Sequence, residues 1–303
     1  MTHRSWFPGL LGPGEPHRRT IAHRSGCLVK SRRRFSIARF SALVAIQLVL
    51  LYFALKALFP KLWAMNVAAG FWAFTLTFLG MHLFLSFFEW FFHRYVLHGV
   101  TVWWLQRFAR GHRHHHSLTP IRLRPVGTGS DRVVLNEYPI TREEQYPDSD
   151  FPVYALVAFW VLFTPLLAGL QLLLPGVPIL FAGYAAIAWS MTLYEILHAI
   201  DHWPYEWWKN ATENPRFGAF WRRLYGFHLM HHANVGCNEA ISGFFGLPVP
   251  DWCFGTYHQP KELLIDGRMA TARDFAIQAP HGFVGWIDRW ARRREAGIMR
   301  RPE

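Results

Sequence analysis

Ten of the 17 histidines fall into four clusters: His93-Arg-Tyr-Val-Leu-His98, His112-Arg-His-His115-His116, His198-Ala-Ile-Asp-His202 and His228-Leu-Met-His231-His232. Neutral imidazole is the commonest metal ligand in proteins, and metal binding is the chemistry this spacing serves. On a helix, residues i, i+3 and i+4 share a face, so each His-x-x-His-His triplet is expected to aim three rings at one point. His198 and His202, at i and i+4, converge in the same way. His93 and His98 are i, i+5, roughly 140° apart on an ideal helix. They are therefore expected to straddle a cavity or to sit where the helix frays, next to Gly99 or Gly111. Ten nitrogen ligands are more than one ion can hold and suit two metals. Glu89 precedes His93 by four residues and Glu195 precedes His198 by three. Both carboxylates are expected to accept the distal N–H of a ligand ring, with Asp201 as a further candidate. His114 faces away from the second triplet. His82, inside an apolar run, is expected to hydrogen-bond a neighbouring helix.

The elements that must position these rings are apolar. Of the 303 residues, 51% are hydrophobic and 17% aromatic, while charged residues reach 17%. That falls below the roughly 25% of an ordinary soluble domain. Disorder, collagen-like repeats and a disulfide scaffold are excluded by the aromatic content and by three scattered cysteines, read as free thiols. Four segments are long and apolar enough to span a bilayer, at about 40–59, 66–92, 151–174 and 177–198. Very short joins at 60–65 and 174–178 make each pair a tight hairpin. Lys56 lies near a span end, where it can snorkel. The two halves read as a distant duplication, each a hairpin, a histidine pair and a triplet.

Orientation follows from the basic residues. Net charge is +12, with 32 Lys and Arg against 20 Asp and Glu. Nine of those cations lie in the first 40 residues, and 91–130 holds six arginines and no acid. By the positive-inside rule both termini and all four histidine clusters face the cytoplasm. The expected fold is an all-α integral membrane protein with four transmembrane helices in two hairpins and a cytosolic helical cap holding a two-metal histidine site. A disordered basic arm is expected over 1–39, a membrane domain over 40–258 and a basic cytosolic tail over 259–303. The arm does not read as a secretory signal, and its arginine-rich, acid-poor composition is also that of a transit peptide.

These four boxes, in this order and between two hairpins, resemble those of the fatty acid hydroxylase / sterol desaturase superfamily of membrane non-haem di-iron oxygenases. The likeness runs from about Leu79 to Tyr257 and is closest to the fatty acid 2-hydroxylase branch. Glu89-Trp-Phe-Phe-His-Arg-Tyr-Val-Leu-His98 is similar to the first box, and the segment from His112 to Pro125 to the second. Tyr194 to His202 and Phe227 to His232 are similar to the third and fourth. Asp251-Trp-Cys-Phe-Gly-Thr-Tyr257 is similar to the closing motif, with Pro250 where a tryptophan would stand.

The resemblance implies that His93, His98, His112, His115, His116, His198, His202, His228, His231 and His232 bind two irons, zinc being a substitute that imidazole also accepts. It implies O2 as co-substrate, a lipid acyl chain as substrate, and hydroxylation of an unactivated C–H. Loss of a second hydrogen would make the enzyme a desaturase, and sterol, carotenoid and aminolipid substrates occur within the same superfamily. The chain carries neither the His-Pro-Gly-Gly motif of a fused cytochrome b5 nor a Gly-x-Gly-x-x-Gly fingerprint. Electrons are therefore expected from a separate ferredoxin or cytochrome b5, in a bacterial inner membrane or the endoplasmic reticulum. No nucleic-acid partner is expected. A rival from another class, a zinc or copper transporter, would place its ligands near the bilayer midplane rather than at span ends.

Overall fold

The long apolar runs fold as helices whose ends follow local chemistry. In a computed structural model, which describes residues 35–299, α1 spans Ile37–Leu58 and starts where Ser36 Oγ accepts the Arg39 amide. It stops before Pro60, which opens α2, Pro60–Ala68, at the position where proline's missing N–H costs nothing. α3 spans Gly70–Phe92 and runs directly into a π-turn at His93–Leu97. α5, Ala155–Leu173, ends before Pro175, and α6, Ile179–Asp201, begins after Pro178. Between α3 and α5 lie α4, Gln106–Leu118, and an antiparallel pair of strands, β1 Ile121–Pro125 and β2 Arg132–Asn136, with Leu123 opposite Val134. After α6 come α7, Tyr205–Thr212, α8, Gly218–Ala233, α9, Val249–Phe254, and α10, Gly282–Met299. The chain is therefore mostly helical but not wholly so. The basic arm expected over 1–39 lies almost entirely outside the described residues.

Among the described residues, four helices are long and apolar enough to cross a membrane: α1, α3 with its π-turn, α5 and α6. Their surfaces support that reading. α1 buries only Val44 and exposes Ile46, Val49, Leu50, Phe53 and Leu58. Phe71, Trp72 and Leu76 on α3, and Val161, Leu166 and Leu172 on α5, continue the exposed belt. A soluble monomer rarely shows apolar patches beyond a few hundred Å².

α6 is the central helix, packed by α1, α3 and α5. Its contact with α5 depends on Gly183, where an added Cβ would come within 2.5 Å of the Leu167 Cδ2 atom. Polar glue ties α2, α5 and α6 together: Asn66 Nδ2 donates to Gln171 Oε1 (3.2 Å), and the Phe181 amide donates to Asn66 Oδ1 (3.2 Å). α3 and α6 run side by side in the same direction, bridged by His82 Nδ1 donating to Ser190 Oγ (2.8 Å), so their histidine pairs reach the same end. That bond is the neighbouring-helix role expected of His82. The Phe245 amide donates to its other nitrogen (3.1 Å).

Residues 259–299, expected as a tail, are packed instead. Leu263 and Leu264 enter a core with Trp208, Tyr225 and Leu229, and Val284 and Asp288 of α10 are buried. The sequence reading missed this because the segment's arginines dominate its composition, while its few inward residues are spaced by turns and one helix.

Candidate metal centre

The ring nitrogens of His93, His98, His112, His116 and His231 lie within 4.8 Å of one another, and those of His115, His198, His202 and His232 form a second such group. His228 Nε2 adjoins the second group, 3.3 Å from His202 Nε2 and 3.2 Å from His232 Nε2. All ten expected ligands are thus brought together, but not as the helix wheel predicts. Each triplet is split. Its i and i+4 members join the histidine pair of their own half, while the i+3 member, His115 or His231, crosses to the other set. The rings of His116 and His232 stack at 4.0 Å where the two sets meet.

Of the two expectations for His93 and His98, a straddled cavity or a break in the helix, the π-turn at the end of α3 answers to the second. The His98 amide donates to the His93 carbonyl at 3.0 Å, an i→i+5 bond that widens the turn. It brings the two rings onto one face with centroids 4.8 Å apart.

Ring orientation is fixed by backbone carbonyls. His93 Nδ1 donates to the Glu239 carbonyl (2.6 Å), His202 Nδ1 to Tyr138 (2.7 Å), His231 Nδ1 to Cys237 (2.7 Å) and His232 Nδ1 to Thr119 (3.0 Å). A carbonyl only accepts, so the proton sits on Nδ1 in all four rings, and Nε2 presents a lone pair inward. Those Nε2 atoms meet other rings closely: His93 to His112 at 2.8 Å, and His231 to His98 at 2.9 Å. In the second set His198 Nε2 is buried with no hydrogen-bond partner. Burial and neighbouring imidazoles hold His98, His112, His115, His116, His228, His231 and His232 well below the ordinary imidazole range, and burial alone lowers His202 to about 4. Neutral nitrogen donors converging on two points fit metal ions. The five rings of the first set exceed the four ligands of a closed zinc site.

The carboxylates are placed differently from the expectation. Glu89 does not reach a histidine: it accepts the amides of Ser242 (2.8 Å) and Gly243 (3.2 Å) and the Ser242 hydroxyl. Glu195 accepts the Phe151 amide (3.2 Å), and Asp201 is buried with Oδ1 unpartnered. None of the three is bonded to a ligand ring, and four of those rings donate to backbone carbonyls instead, partners that sequence spacing does not reveal. His114 pairs with Asp148 at 2.9 Å and stays outside both sets.

A network of residues outside the expected set braces the first group. Asp251 accepts the Glu239 and Ala240 amides (both 2.9 Å) and the Thr256 hydroxyl (2.6 Å), fixing the carbonyl that orients His93. Thr256 Oγ1 in turn accepts Trp90 Nε1 at 2.9 Å. Glu239 also receives Arg94 Nη1 (2.8 Å), and Arg94 forms a two-pronged pair with Asp288 of α10 (3.0 and 2.9 Å). Arg94 lies inside the first box and was visible there, but nothing local signals Glu239 or Asp288 as its partners.

An apolar cavity opens between α3, α5 and α6, walled by Leu85, Phe88, Phe92, Phe159, Phe163 and Met191. Its lining also includes the polar residues Glu89, His93, Ser190, Tyr194 and Ser242. No protein-family model, curated protein or solved structure matches the chain, and this geometry therefore carries the functional argument.

Proposed function

We propose that the chain is a membrane-embedded oxygenase that uses iron in both histidine sets to hydroxylate a lipid acyl chain, as the four boxes' resemblance to the fatty acid hydroxylase / sterol desaturase superfamily implies. The observation that carries this reading is the apolar cavity between α3, α5 and α6 whose lining includes His93, a member of the five-histidine set. When bound, the iron pair supplies the redox chemistry that places one oxygen atom of O2 into a C–H bond and reduces the other to water, with two electrons and two protons.

The chain's own residues do the rest. Phe88, Phe92, Phe159 and Phe163 seat an apolar chain and exclude water from its reacting carbon. The carbonyls of Glu239, Tyr138, Cys237 and Thr119 keep the ligand rings in one tautomer. Four spans arranged as two hairpins put the histidine end on the arginine-rich side of the membrane, where a separate ferredoxin or cytochrome b5 type donor docks.

Lipid mass spectrometry of cells that supply a competent reductase and express wild type or His231→Ala tests the reading. New hydroxylated lipids are expected with wild type and none with the variant, while both insert into the membrane. Identical lipid profiles would sink the oxygenase assignment.

A further inference from the structure

α10 carries a buried side and an exposed side on which aromatic and basic residues lie together. Val284, Asp288, Ala291 and Ile298 are buried against the core. Asp288 takes the two-pronged bond from Arg94 and the Tyr95 hydroxyl at 2.9 Å, and Glu295 accepts Arg113 Nη1 at 3.3 Å and the Val100 amide at 3.4 Å. Two carboxylates pinned on one side fix the roll of the helix. Phe283, Trp286 and Trp290, at i, i+3 and i+7, are therefore held outward, 48%, 61% and 48% exposed. Arg289 and Arg293, at i and i+4, are exposed as well: Arg289 lies at the margin of the aromatic face, and Arg293, seven residues after Trp286, lies within it.

The aromatic face joins the membrane-spanning region. Phe283 packs on Phe254 with centroids 5.3 Å apart, and Phe254 packs on Phe87 and Phe91 of α3, both at 5.6 Å. An outward edge of tryptophan and phenylalanine beside a span end, flanked by arginines, has the chemistry of a helix lying in the membrane–water interface. Cations there are drawn to anionic headgroups.

We propose that α10 is an interfacial helix that seats on an anionic lipid surface, with Phe283, Trp286 and Trp290 at the acyl–headgroup boundary and Arg289 and Arg293 on the headgroups. The inference rests on the four helices lying in a bilayer and is independent of the metal and of the oxygenase reading.

A nitroxide label tests it on the full chain in nanodiscs. Gly297→Cys lies seven residues after Trp290 on the same face, and a Cβ there meets nothing within 4 Å. Cys27 and Cys253 are replaced by serine, and Cys237 is buried. Discs are made of phosphatidylcholine alone or with one-third phosphatidylserine. The water-soluble nickel chelate is expected to reach the label at least about threefold less in the anionic discs, with oxygen access rising. Arg289→Glu/Arg293→Glu should abolish that difference. A label on Ala296→Cys, on the Arg289 margin, should stay accessible to nickel. Equal nickel access at 297 in both lipids, persistence of the lipid effect in the double variant, or immersion of the 296 label would overturn the proposal. Metal content of the same samples separates this outcome from failure of the metal site.

Discussion

The two histidine sets follow the same ligand pattern in different surroundings. Each takes a pair from the end of an apolar helix, the i and i+4 members of the nearer triplet and the i+3 member of the farther one. The set containing His93 borders the apolar cavity and is braced by charge: Asp251 grips the 239–240 backbone, and Arg94 joins Glu239 to Asp288. The set containing His202 leans on neutral structure, the Tyr138 and Thr119 carbonyls and the buried Tyr138 and Tyr225 rings. A ligand pattern repeated in both halves thus does not imply two equivalent sites. The surroundings make the first set the one that borders the cavity, and variants that act on one bracing system should separate the two.

The largest separation should come from Asp288→Ala, which leaves the Arg94 guanidinium buried without its two-pronged partner. Removing one member of such a pair costs about 3–5 kcal/mol. Thermal unfolding in detergent should show a corresponding fall in midpoint, with metal lost first from the His93 set. Unchanged stability would show that the buried pair is not the clamp. A smaller effect is expected from Asp251→Asn, where one of two buried amides loses its acceptor, at about 1–3 kcal/mol. Since the Glu239 carbonyl orients His93, metal affinity of the first set should also fall about 10–100-fold while the second keeps its ion. Equal losses at both sets would erase the distinction drawn here.

Acid should act on both sets alike, and each ring by itself more gently than either substitution. His202 is lowered to about 4 in the fold, so the folded chain binds fewer protons than the unfolded one between that value and the ordinary imidazole value of about 6.5. The stability it contributes is present above about 6.5 and is lost as pH falls toward 4, by about 1 kcal/mol between pH 7 and 5.5 for this ring alone. Unfolding midpoints of metal-stripped protein across that range should decline. A flat profile would mean that His202 is not held neutral.

Much of this was legible in the chain because it depends on local pattern. Apolar runs ended by Pro60, Pro175 and Pro178 mark the span-length helices, and imidazoles at i, i+3 and i+4 mark the ligands. His82 and His114 also behave as their positions suggest. What escaped depends on tertiary approach. The splitting of each triplet depends on how α4 meets the π-turn after α3 and α8 meets α6, which no single helix wheel contains. The π-turn at His93 replaces an ideal-helix angle with a close pair. Glu89 was read by proximity in sequence to His93, yet its oxygens answer to Ser242 and Gly243, more than 150 residues away. Asp251 was visible in a motif, but its task of holding the Glu239 backbone appears only when the loop is folded.

The interleaving of the two sets is tested most directly by counting metal ions per chain in wild type, His115→Ala and His231→Ala. Two ions are predicted for wild type. His115→Ala should lose the ion shared with His198 and His202, although His115 lies in the first half, and His231→Ala should lose the ion shared with His93 and His98. One ion per chain in wild type would contradict the account. So would a His115→Ala variant that keeps the His198 ion and loses the one bound by His93.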